Sequence, residues 1–299
     1  MRHDGDVEDA LAEAVTAALG AAVVATRPVH GGDVARSYAV DLADGSRVFA
    51  KTHPAAPPRF FDTEATGLRW LRDGLDAADS VAVPEVLAVS DDPPNHLVLE
   101  WVDEQRAARP ESTTERRFGV ALAHLHAAGA PSFGREDRRP TGSRALPNDP
   151  TATWVDFYAE RRLLPLARLA RDGHALAEPT IGALERVAAR LREIGGPTEP
   201  PARLHGDLWA GNRLVGADRR HWLIDPAAHG GHREFDLAMM RLFGGFGAEC
   251  FAAYSEVAPL APGWEDRVSL HQIAPLVVHA IKFGGSYVGA ATAAIDRYR

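Results

Sequence analysis

The chain has 299 residues, of which 33 are basic and 41 acidic, so its formal net charge is −8. This balance argues against a general nucleic-acid binder, which needs a basic surface to displace phosphate counterions. Charged residues and glycines interrupt every apolar stretch well before the roughly 18 residues of a membrane span. The acidic N-terminus does not resemble a secretory signal, and the single cysteine, Cys250, fits a reducing compartment. We therefore expect a cytoplasmic protein, most simply a monomer, with neither nucleic acid nor membrane as partner.

The first hundred residues are predicted to form a small antiparallel sheet with one helix inserted after its third strand. Asp44-Gly45 marks a tight hairpin turn between two apolar strands. The inserted helix is amphipathic, with Phe61, Ala65, Leu68, Leu71 and Leu75 on its apolar side. In chain order the patterns predict a helix over 7–19, strands over 23–29, 38–42 and 48–51, a helix over 60–75, and strands over 83–89 and 97–102.

The remaining residues are predicted to be mainly helical, with one long surface loop over 131–150. A short hairpin is expected over 213–224, and paired glycines punctuate the helical C-terminal part at 244–245 and 284–285. The predicted helices of this part cover 113–128, 154–172, 180–194 and most of 233–299. The sequence thus predicts an α+β protein with a β-rich lobe over 1–102 and a larger helical lobe over 103–299.

The most informative segment is His205-Gly206-Asp207-Leu208-Trp209-Ala210-Gly211-Asn212, followed across the predicted hairpin by Asp225. The spacing H-x-D-x4-N, then a hairpin, then Asp, is the catalytic layout of kinase-like phosphotransferases. Phosphoryl transfer to an alcohol needs a carboxylate that accepts the hydroxyl proton, which suits Asp207. It also needs oxygen ligands for Mg²⁺, which suits Asn212 and Asp225.

Upstream residues fit the same chemistry as a nucleotide-binding lobe. Gly31 and Gly32 lie between the first two predicted strands, where a glycine loop covers the phosphates of ATP. Lys51 ends the third strand and is one of only two lysines in an arginine-rich chain. A compact ammonium can be held by a carboxylate and by phosphates together, and Glu64 on the following helix is the expected carboxylate. Glu100 and Val102, at the end of the last predicted strand, complete the expected ATP-binding set.

Other features carry less weight. His229 and His232 have a metal-like spacing, but no further Cys or His cluster completes a zinc site. Asp207 and Asp225 could be a glycosidase pair, but Asn212, Lys51 and the glycines have no role in that reading. We expect Asp236 to brace the catalytic loop, and His124 and His126 to be structural histidines.

The segment HGDLWAGN, with Trp209 after the Asp-Leu pair, resembles the fructosamine/ketosamine kinase family, a branch of the aminoglycoside-phosphotransferase-like kinases. Further stretches resemble this family over almost the whole chain: 231–239, 242–246, 279–287, and Leu146-Pro147-Asn148 with the helix that follows. The resemblance implies a bilobal protein-kinase-like fold and transfer of phosphate from ATP–Mg²⁺ to O3 of a ketosamine sugar. The unstable 3-phosphate would then release the amine, which is deglycation. Asn148 and Trp209 are the implied substrate residues.

Three alternatives stay open at this point. A protein kinase is disfavoured because only ten residues separate Asp225 from Asp236, too few for a long activation loop. An aminoglycoside or another hydroxylated amine could be the acceptor, although segment 134–150 carries four arginines against three acidic residues, a poor attractant for a polycation. A catalytically silent binding module would normally lack the lysine, base or metal ligand, and all are present here.

Overall fold

The computed structural model describes residues 4–29, 35–75, 80–105, 112–142 and 144–299. The chain divides into two compact units. The first comprises Met1–Asp73, Ala82–Arg106 and Leu214–Asp225, and the second comprises Gly74–Val81, Ala107–Arg213 and Pro226–Arg299. The short segment that ends at Asp225 therefore groups with the β-rich N-terminal part. The assignment of 1–102 and 103–299 as ATP-binding and catalytic lobes stays a prediction.

The first unit is built on a five-stranded antiparallel sheet of order β1-β2-β3-β5-β4. Its helices and strands are α1 (Asp4–Leu19), β1 (Val23–Val29), β2 (Arg36–Leu42), β3 (Arg47–Thr52), α2 (Phe60–Asp73), β4 (Val86–Ser90) and β5 (His96–Glu100). Helix α2 enters after the third strand, as the sequence predicts. The predicted turn is also confirmed: Gly45 has a φ of +87°, and the Ser46 amide donates to Asp44 Oδ1 at 2.9 Å.

Apolar spacing explains how both helices of this unit pack. Leu11 and Val15 of α1 are fully buried in a cluster with the sheet residues Tyr38, Val40 and Val98. In α2, the residues at 61, 65, 68 and 71 are buried, as its amphipathic pattern predicts. The helix ends at Asp73, however, so the expectation that Leu75 belongs to its apolar side is wrong.

A hairpin of β7 (Arg213–Val215) and β8 (His221–Leu223) joins this unit through backbone hydrogen bonds. The Ala82 amide donates to the His221 carbonyl at 2.7 Å, and the Leu223 amide donates to the Ala82 carbonyl at 2.9 Å. The other strand of the hairpin is bound by the Gln105 amide, which donates to Val215 at 2.7 Å. The hairpin thereby places Asp225, two residues beyond β8, in the first unit.

The second unit is mainly helical and surrounds one large apolar core, to which Tyr158, Leu184, Leu204 and Val277 contribute. Strands β6 (Ala202–Leu204) and β9 (His229–Gly231) pair antiparallel. The helices are α3 (Ser112–Ala127), α4 (Trp154–Tyr158), α5 (Leu164–Asp172), α6 (Glu178–Ala189), α7 (Leu191–Ile194), α8 (Glu234–Phe243), α9 (Ala248–Val257), α10 (Trp264–Phe283) and α11 (Ser286–Asp296). None of the helices among the described residues is long and apolar enough to cross a membrane.

Two predictions about this unit need correction. The single helix expected over 154–172 is interrupted by a π-helical turn, Ala159–Leu163, between α4 and α5. The segment 131–150 lacks helices and strands in its described residues, but it is not simply a surface loop. Phe133, Arg135 and Asn148 are buried, because the segment pairs with β9 through Gly134 and Gly230.

Candidate active site

Lys51 lies between two carboxylates in the first unit. Its Nζ atom is 2.8 Å from Glu64 Oε1 of α2 and also contacts Asp225 Oδ1. The side chain of Lys51 is only 8% exposed, because strand β3 pairs with β2 on one side and β5 on the other. The structure thus confirms the predicted Lys51–Glu64 contact and adds Asp225 to it.

Burial and neighbouring charges shift the pKa values of Lys51 and Glu64. Burial alone would lower the pKa of Lys51, but the carboxylates of Glu64 and Asp225 outweigh it and raise the pKa above its ordinary value. Burial and the charge of Asp225 raise the pKa of Glu64, and the Lys51 ammonium opposes this shift only in part. Lys51 is therefore protonated and carries a positive charge in the folded protein.

The backbone of Asp225 has a φ of +53°, a value that residues other than glycine rarely adopt. Such backbone geometry is common at functional positions, where surrounding contacts maintain it. Asp225 follows the anchored β7–β8 hairpin, and its side chain contacts Lys51.

Of the remaining predicted ATP-binding residues, the structure describes Glu100 and Val102. Glu100 ends β5 and accepts the Glu85 amide on Oε2 at 3.1 Å, and Val102 lies two residues beyond that strand. Gly31 and Gly32 lie outside the described residues.

The loop that carries Asp207 is fixed in the second unit by a buried carboxylate. Asp236, in the first turn of α8, accepts the backbone amide of His205 at 2.8 Å and that of Gly206 at 2.9 Å. His126 Nε2 lies 3.3 Å from the same carboxylate, and its Nδ1 lies 2.8 Å from the Tyr254 hydroxyl. Burial opposes ionisation of Asp236, but these partners hold its pKa below the usual value. The predicted bracing role of Asp236 is confirmed, as is the structural role of His126; His124 instead is exposed.

Only glycine fits at position 206. Its φ is +81°, and a Cβ atom there would lie 2.2 Å from the Ala227 carbonyl oxygen. The chain can therefore turn sharply out of β6 immediately before Asp207.

Asn212 closes the same loop from its other end. A 3₁₀ turn, Ala210–Asn212, leads into β7, and Asn212 Nδ2 donates to the Asp207 carbonyl at 2.9 Å. The amide oxygen of Asn212 makes no hydrogen bond to the part of the chain that the structure describes. The Asn212 amide and the Asp207 carboxylate therefore lie on the same loop, as the motif spacing predicts.

Trp209 is 43% exposed, although it lies in the middle of this loop. A Cβ atom at Gly211 would lie 2.2 Å from its indole ring, so glycine is needed for the ring to fold back over the turn. Its other neighbour is Phe243, at a centroid distance of 6.5 Å. An accessible indole therefore stands two residues from the predicted base.

Asn148 has another task than the predicted substrate contact. It is fully buried; its Nδ2 donates to the Arg139 carbonyl at 3.0 Å, and its Oδ1 accepts from Arg162 at 2.6 Å. Arg162 lies in the π-helical turn and also donates to the Pro147 carbonyl at 2.6 Å. The Asn148 amide thus links segment 131–150 to the π-helical turn through both its nitrogen and its oxygen. Asn148 is therefore not part of the proposed substrate site.

Sequence reasoning missed the residue that anchors the loop behind Asn212. Arg213 lies with its guanidinium 4.9 Å from the Phe118 ring and 4.7 Å from the Phe246 ring. It pairs with Glu115 at 2.8 Å, and both side chains are buried. The sequence offered little signal for this pair, because Glu115 and Arg213 lie far apart in the chain and Glu115 stands in a polar run.

Comparisons of the sequence with known proteins all identify the same family. A family model described as fructosamine kinase matches residues 7–299. A Synechocystis protein named probable ketoamine kinase is 34% identical over 268 residues, covering 87% of this chain and 85% of its own. The chloroplast protein-ribulosamine 3-kinase of Arabidopsis thaliana is 29% identical over 269 residues, covering 85% of this chain and 77% of its own.

The fold agrees as well. The crystal structure of a Thermobifida fusca protein assigned as a fructosamine-3-kinase has a TM-score of 0.85 to this chain. The two sequences are 41% identical, and the match covers 97% of this chain and 98% of the other. These comparisons confirm the family resemblance and the α+β, protein-kinase-like fold predicted from the sequence.

Proposed function

Because the chain belongs to the fructosamine kinase family, we propose that it transfers the γ-phosphoryl group of ATP to a sugar hydroxyl, O3, of a ketosamine. The acceptor would be a fructose- or ribulose-amine, and release of the amine after phosphorylation would make the reaction a deglycation. A phosphotransferase acting on a sugar hydroxyl is also what the similar ketoamine and ribulosamine kinases are named for.

The observation that carries this proposal is the fixed geometry of the Asp207 loop. Asp236 holds the backbone on one side of Asp207, and Asn212 holds its carbonyl on the other. A general base works only when it is held within hydrogen-bond reach of the proton that it accepts. We therefore assign Asp207 as the base that accepts the proton of the sugar hydroxyl.

The Lys51 cluster fits the phosphates of ATP. Lys51 stays protonated, and Glu64 and Asp225 take two of the three N–H donors of its ammonium, so the third can bind a phosphate oxygen. Among the remaining predicted residues, we keep Gly31, Gly32, Glu100 and Val102 as proposed ATP-binding positions.

Asn212 and Asp225 fit Mg²⁺ as ligands. One offers an amide oxygen with no described hydrogen bond, and the other offers a carboxylate, the hard oxygen donors that this ion prefers. When bound, Mg²⁺ would neutralise negative charge on the phosphates during transfer. Asp225 already contacts the Lys51 ammonium, which places its carboxylate beside the proposed phosphate-binding lysine.

Trp209 supports a sugar as the acceptor. An exposed indole face can cover the C–H side of a sugar ring, while polar groups take its hydroxyls. We expect Trp209→Ala to raise the KM for the ketosamine more than the KM for ATP.

The alternatives are less well supported. The comparisons favour ketosamines over aminoglycosides, and Asp207, Lys51, Asn212 and Asp225 are all present, which a silent binding module would not require. The monomeric state and the cytoplasmic location remain predictions.

A transfer screen tests the function. Purified protein is incubated with Mg²⁺, γ-labelled ATP, and either fructosamines, ribulosamines or kanamycin-type aminoglycosides, and phosphorus–proton NMR locates the phosphate. We expect label on O3 of a ketosamine and little on the aminoglycosides. Efficient aminoglycoside phosphorylation without ketosamine turnover would overturn the substrate, and no transfer to any acceptor would overturn the kinase.

A further inference from the structure

Two helices of the second unit end at a phenylalanine that is followed by two glycines. Helix α8 ends in Phe243 followed by Gly244-Gly245, and α10 ends in Phe283 followed by Gly284-Gly285. All four glycines have positive φ, between 58° and 86°. This backbone stops each helix abruptly and leaves its last phenylalanine at the surface, 37% exposed for Phe243 and 50% for Phe283.

The two phenylalanines belong to one continuous group of rings. His279, one turn before Phe283, lies with its ring 5.1 Å from Phe243, 5.5 Å from Phe283 and 4.9 Å from Tyr287. Trp209 joins the group through its contact with Phe243. We call Trp209, Phe243, His279, Phe283 and Tyr287 the aromatic row.

The aromatic row begins at the loop of the proposed base. The Trp209 amide donates to the Asp207 carbonyl at 3.2 Å. The turn after Phe243 packs on the same loop, since a Cβ atom at Gly245 would lie 2.4 Å from the Ala210 Cβ. One end of the row is therefore fixed beside Asp207, while Phe283 lies at the other end.

The exposure of these rings is uncommon in this chain. Among the described residues, the large apolar side chains that remain exposed are Val24, Leu87, Trp209, Phe243, Val257 and Phe283. Three of the six belong to the aromatic row. Apolar surface collected in one place marks a binding site more often than apolar residues scattered singly.

The row is also rigid. His279 Nδ1 donates to the Pro275 carbonyl at 2.8 Å, so the ring that touches three neighbours cannot rotate freely. Rigid aromatic surfaces bind apolar ligands with little loss of side-chain entropy.

We propose that the aromatic row binds the amine carrier of the ketosamine, the apolar chain or ring attached to the sugar nitrogen. This inference rests on the proposed function. A sugar that presents O3 to Asp207 and is covered by Trp209 carries its amine on C1, so the carrier must leave the sugar close to the start of the row. The ketosamine nitrogen is a protonated amine, which aromatic faces attract, and the carrier beyond it meets Phe243 and Phe283.

The row then sets a preference among carriers. Each methylene that moves from water onto the rings is expected to raise kcat/KM roughly threefold to fourfold, the value of a fully buried methylene. A one-carbon carrier would end at the start of the row, whereas a hexyl or benzyl carrier would extend along it in the direction of Phe283. The chain should therefore favour ketosamines of long or aromatic amines.

The test uses three fructosamines, made from methylamine, hexylamine and benzylamine, in steady-state assays with saturating ATP. For the wild-type protein we expect kcat/KM to be at least about tenfold higher for hexyl and benzyl than for methyl. Phe283→Ala should lower the hexyl-to-methyl ratio at least about fivefold, and Phe283→Tyr, which retains the ring, should restore it. Val257→Ala removes an equally exposed apolar side chain outside the row and should leave the ratio unchanged.

A ratio near one in the wild-type protein, or an equal loss for all three substrates in Phe283→Ala with a normal ratio, would overturn the subsite and leave the proposed function standing. Failure of the wild-type protein to phosphorylate any of the three would overturn both.

Discussion

The carboxylate of Asp236 accepts the backbone amide of Gly206 at 2.9 Å, and the next residue is the proposed base, Asp207. Asp236 itself is fully buried in the first turn of α8. It therefore acts on the base through the main chain, as a positioning residue.

Asp236→Asn places an amide group where every neighbour is a donor. The backbone amides of His205 and Gly206 and the ring of His126 all face this side chain. One buried donor is then left unsatisfied, which is expected to lower the free energy of unfolding by about 1–3 kcal/mol. Urea unfolding measures this loss, and kcat should fall with little change in the KM for ATP. Asp172→Asn, at the exposed end of α5, is the matched control; equal behaviour of the two variants would contradict the bracing role.

Asp207→Asn removes the base and preserves the shape of the side chain. General-base catalysis contributes roughly 10²–10⁴ to the rate, and kcat should fall by that factor. ATP affinity, measured by calorimetry, should change little because the Lys51 cluster is untouched. Near-normal turnover would show that another group accepts the proton.

Asp225→Ala should abolish transfer and leave the fold intact. Lys51 keeps Glu64 at 2.8 Å, so the buried ammonium is not left without a carboxylate. Circular dichroism should report an unchanged fold, while phosphoryl transfer should be undetectable at ordinary Mg²⁺ concentrations. Turnover close to that of the wild-type protein would make Asp225 a structural partner of Lys51 only.

Gly206→Ala tests the turn before the base. Gly206 and Gly142 both have positive φ, +81° and +70°, and an alanine in that region costs about 1–2 kcal/mol. At Gly142 the new Cβ meets nothing within 4 Å, whereas at Gly206 it lies 2.2 Å from a backbone oxygen. Gly206→Ala should therefore lower the urea midpoint clearly more than Gly142→Ala, and only Gly206→Ala should lower kcat. Equal midpoints would contradict the close packing of the loop.

Buried histidines predict a loss of stability in mild acid. Burial lowers the pKa of His229 to about 3 and that of His232 to about 4, and it lowers that of His271 as well. These groups are neutral in the folded protein but take up protons on unfolding below about pH 6.5. Their contribution to stability is therefore present above pH 6.5 and is lost as the pH falls, by up to about 1.4 kcal/mol per pH unit for each.

Glu64 acts in the opposite direction. Burial raises its pKa to about 7, so its contribution is full below its ordinary value and is lost as the pH rises through 7. Because three histidines lower the free energy of unfolding as the pH falls and one carboxyl raises it, the net loss of this free energy is at most roughly 3 kcal/mol per pH unit between pH 6.5 and 4.5. Urea unfolding across this range measures the slope, and His229→Gln should make it shallower. A flat profile would mean that the histidines are protonated in the folded protein.

Local patterns in the sequence were sufficient to predict most of the first unit and the geometry of the Asp207 loop. The Asp44-Gly45 turn and the buried face of α2 depend on neighbours within a few residues, so spacing predicts them. The H-x-D-x4-N motif is equally local, since Asn212 bonds the Asp207 carbonyl within one loop.

The sequence was a poor guide where distant segments decide the environment. Arg162 is 3% exposed because a π-helical turn directs it at Pro147 and Asn148, and helical periodicity does not reveal such a turn. Asn148 was expected to contact the substrate because it lies in a segment that resembles the family. The segment itself does not reveal that the Asn148 amide is bonded to Arg139 and Arg162. Lys282, for which the sequence offered no role, lies with its ammonium 4.7 Å from the Phe283 ring centre.

The first unit contains segments that lie far apart in the sequence, and this affects the order in which the chain can fold during synthesis. Its last segment, Leu214–Asp225, is translated after the 107 residues from Ala107 to Arg213, and Asp225 follows Lys51 by 174 residues. A nascent chain that has emerged only as far as Arg106 contains all residues of the five-stranded sheet and both Lys51 and Glu64, but neither the backbone partners of Ala82 nor the second carboxylate of Lys51. Because domains generally fold as units from the N-terminus, the ribosome must deliver most of the helical unit before the proposed phosphate-binding lysine acquires its full set of neighbours.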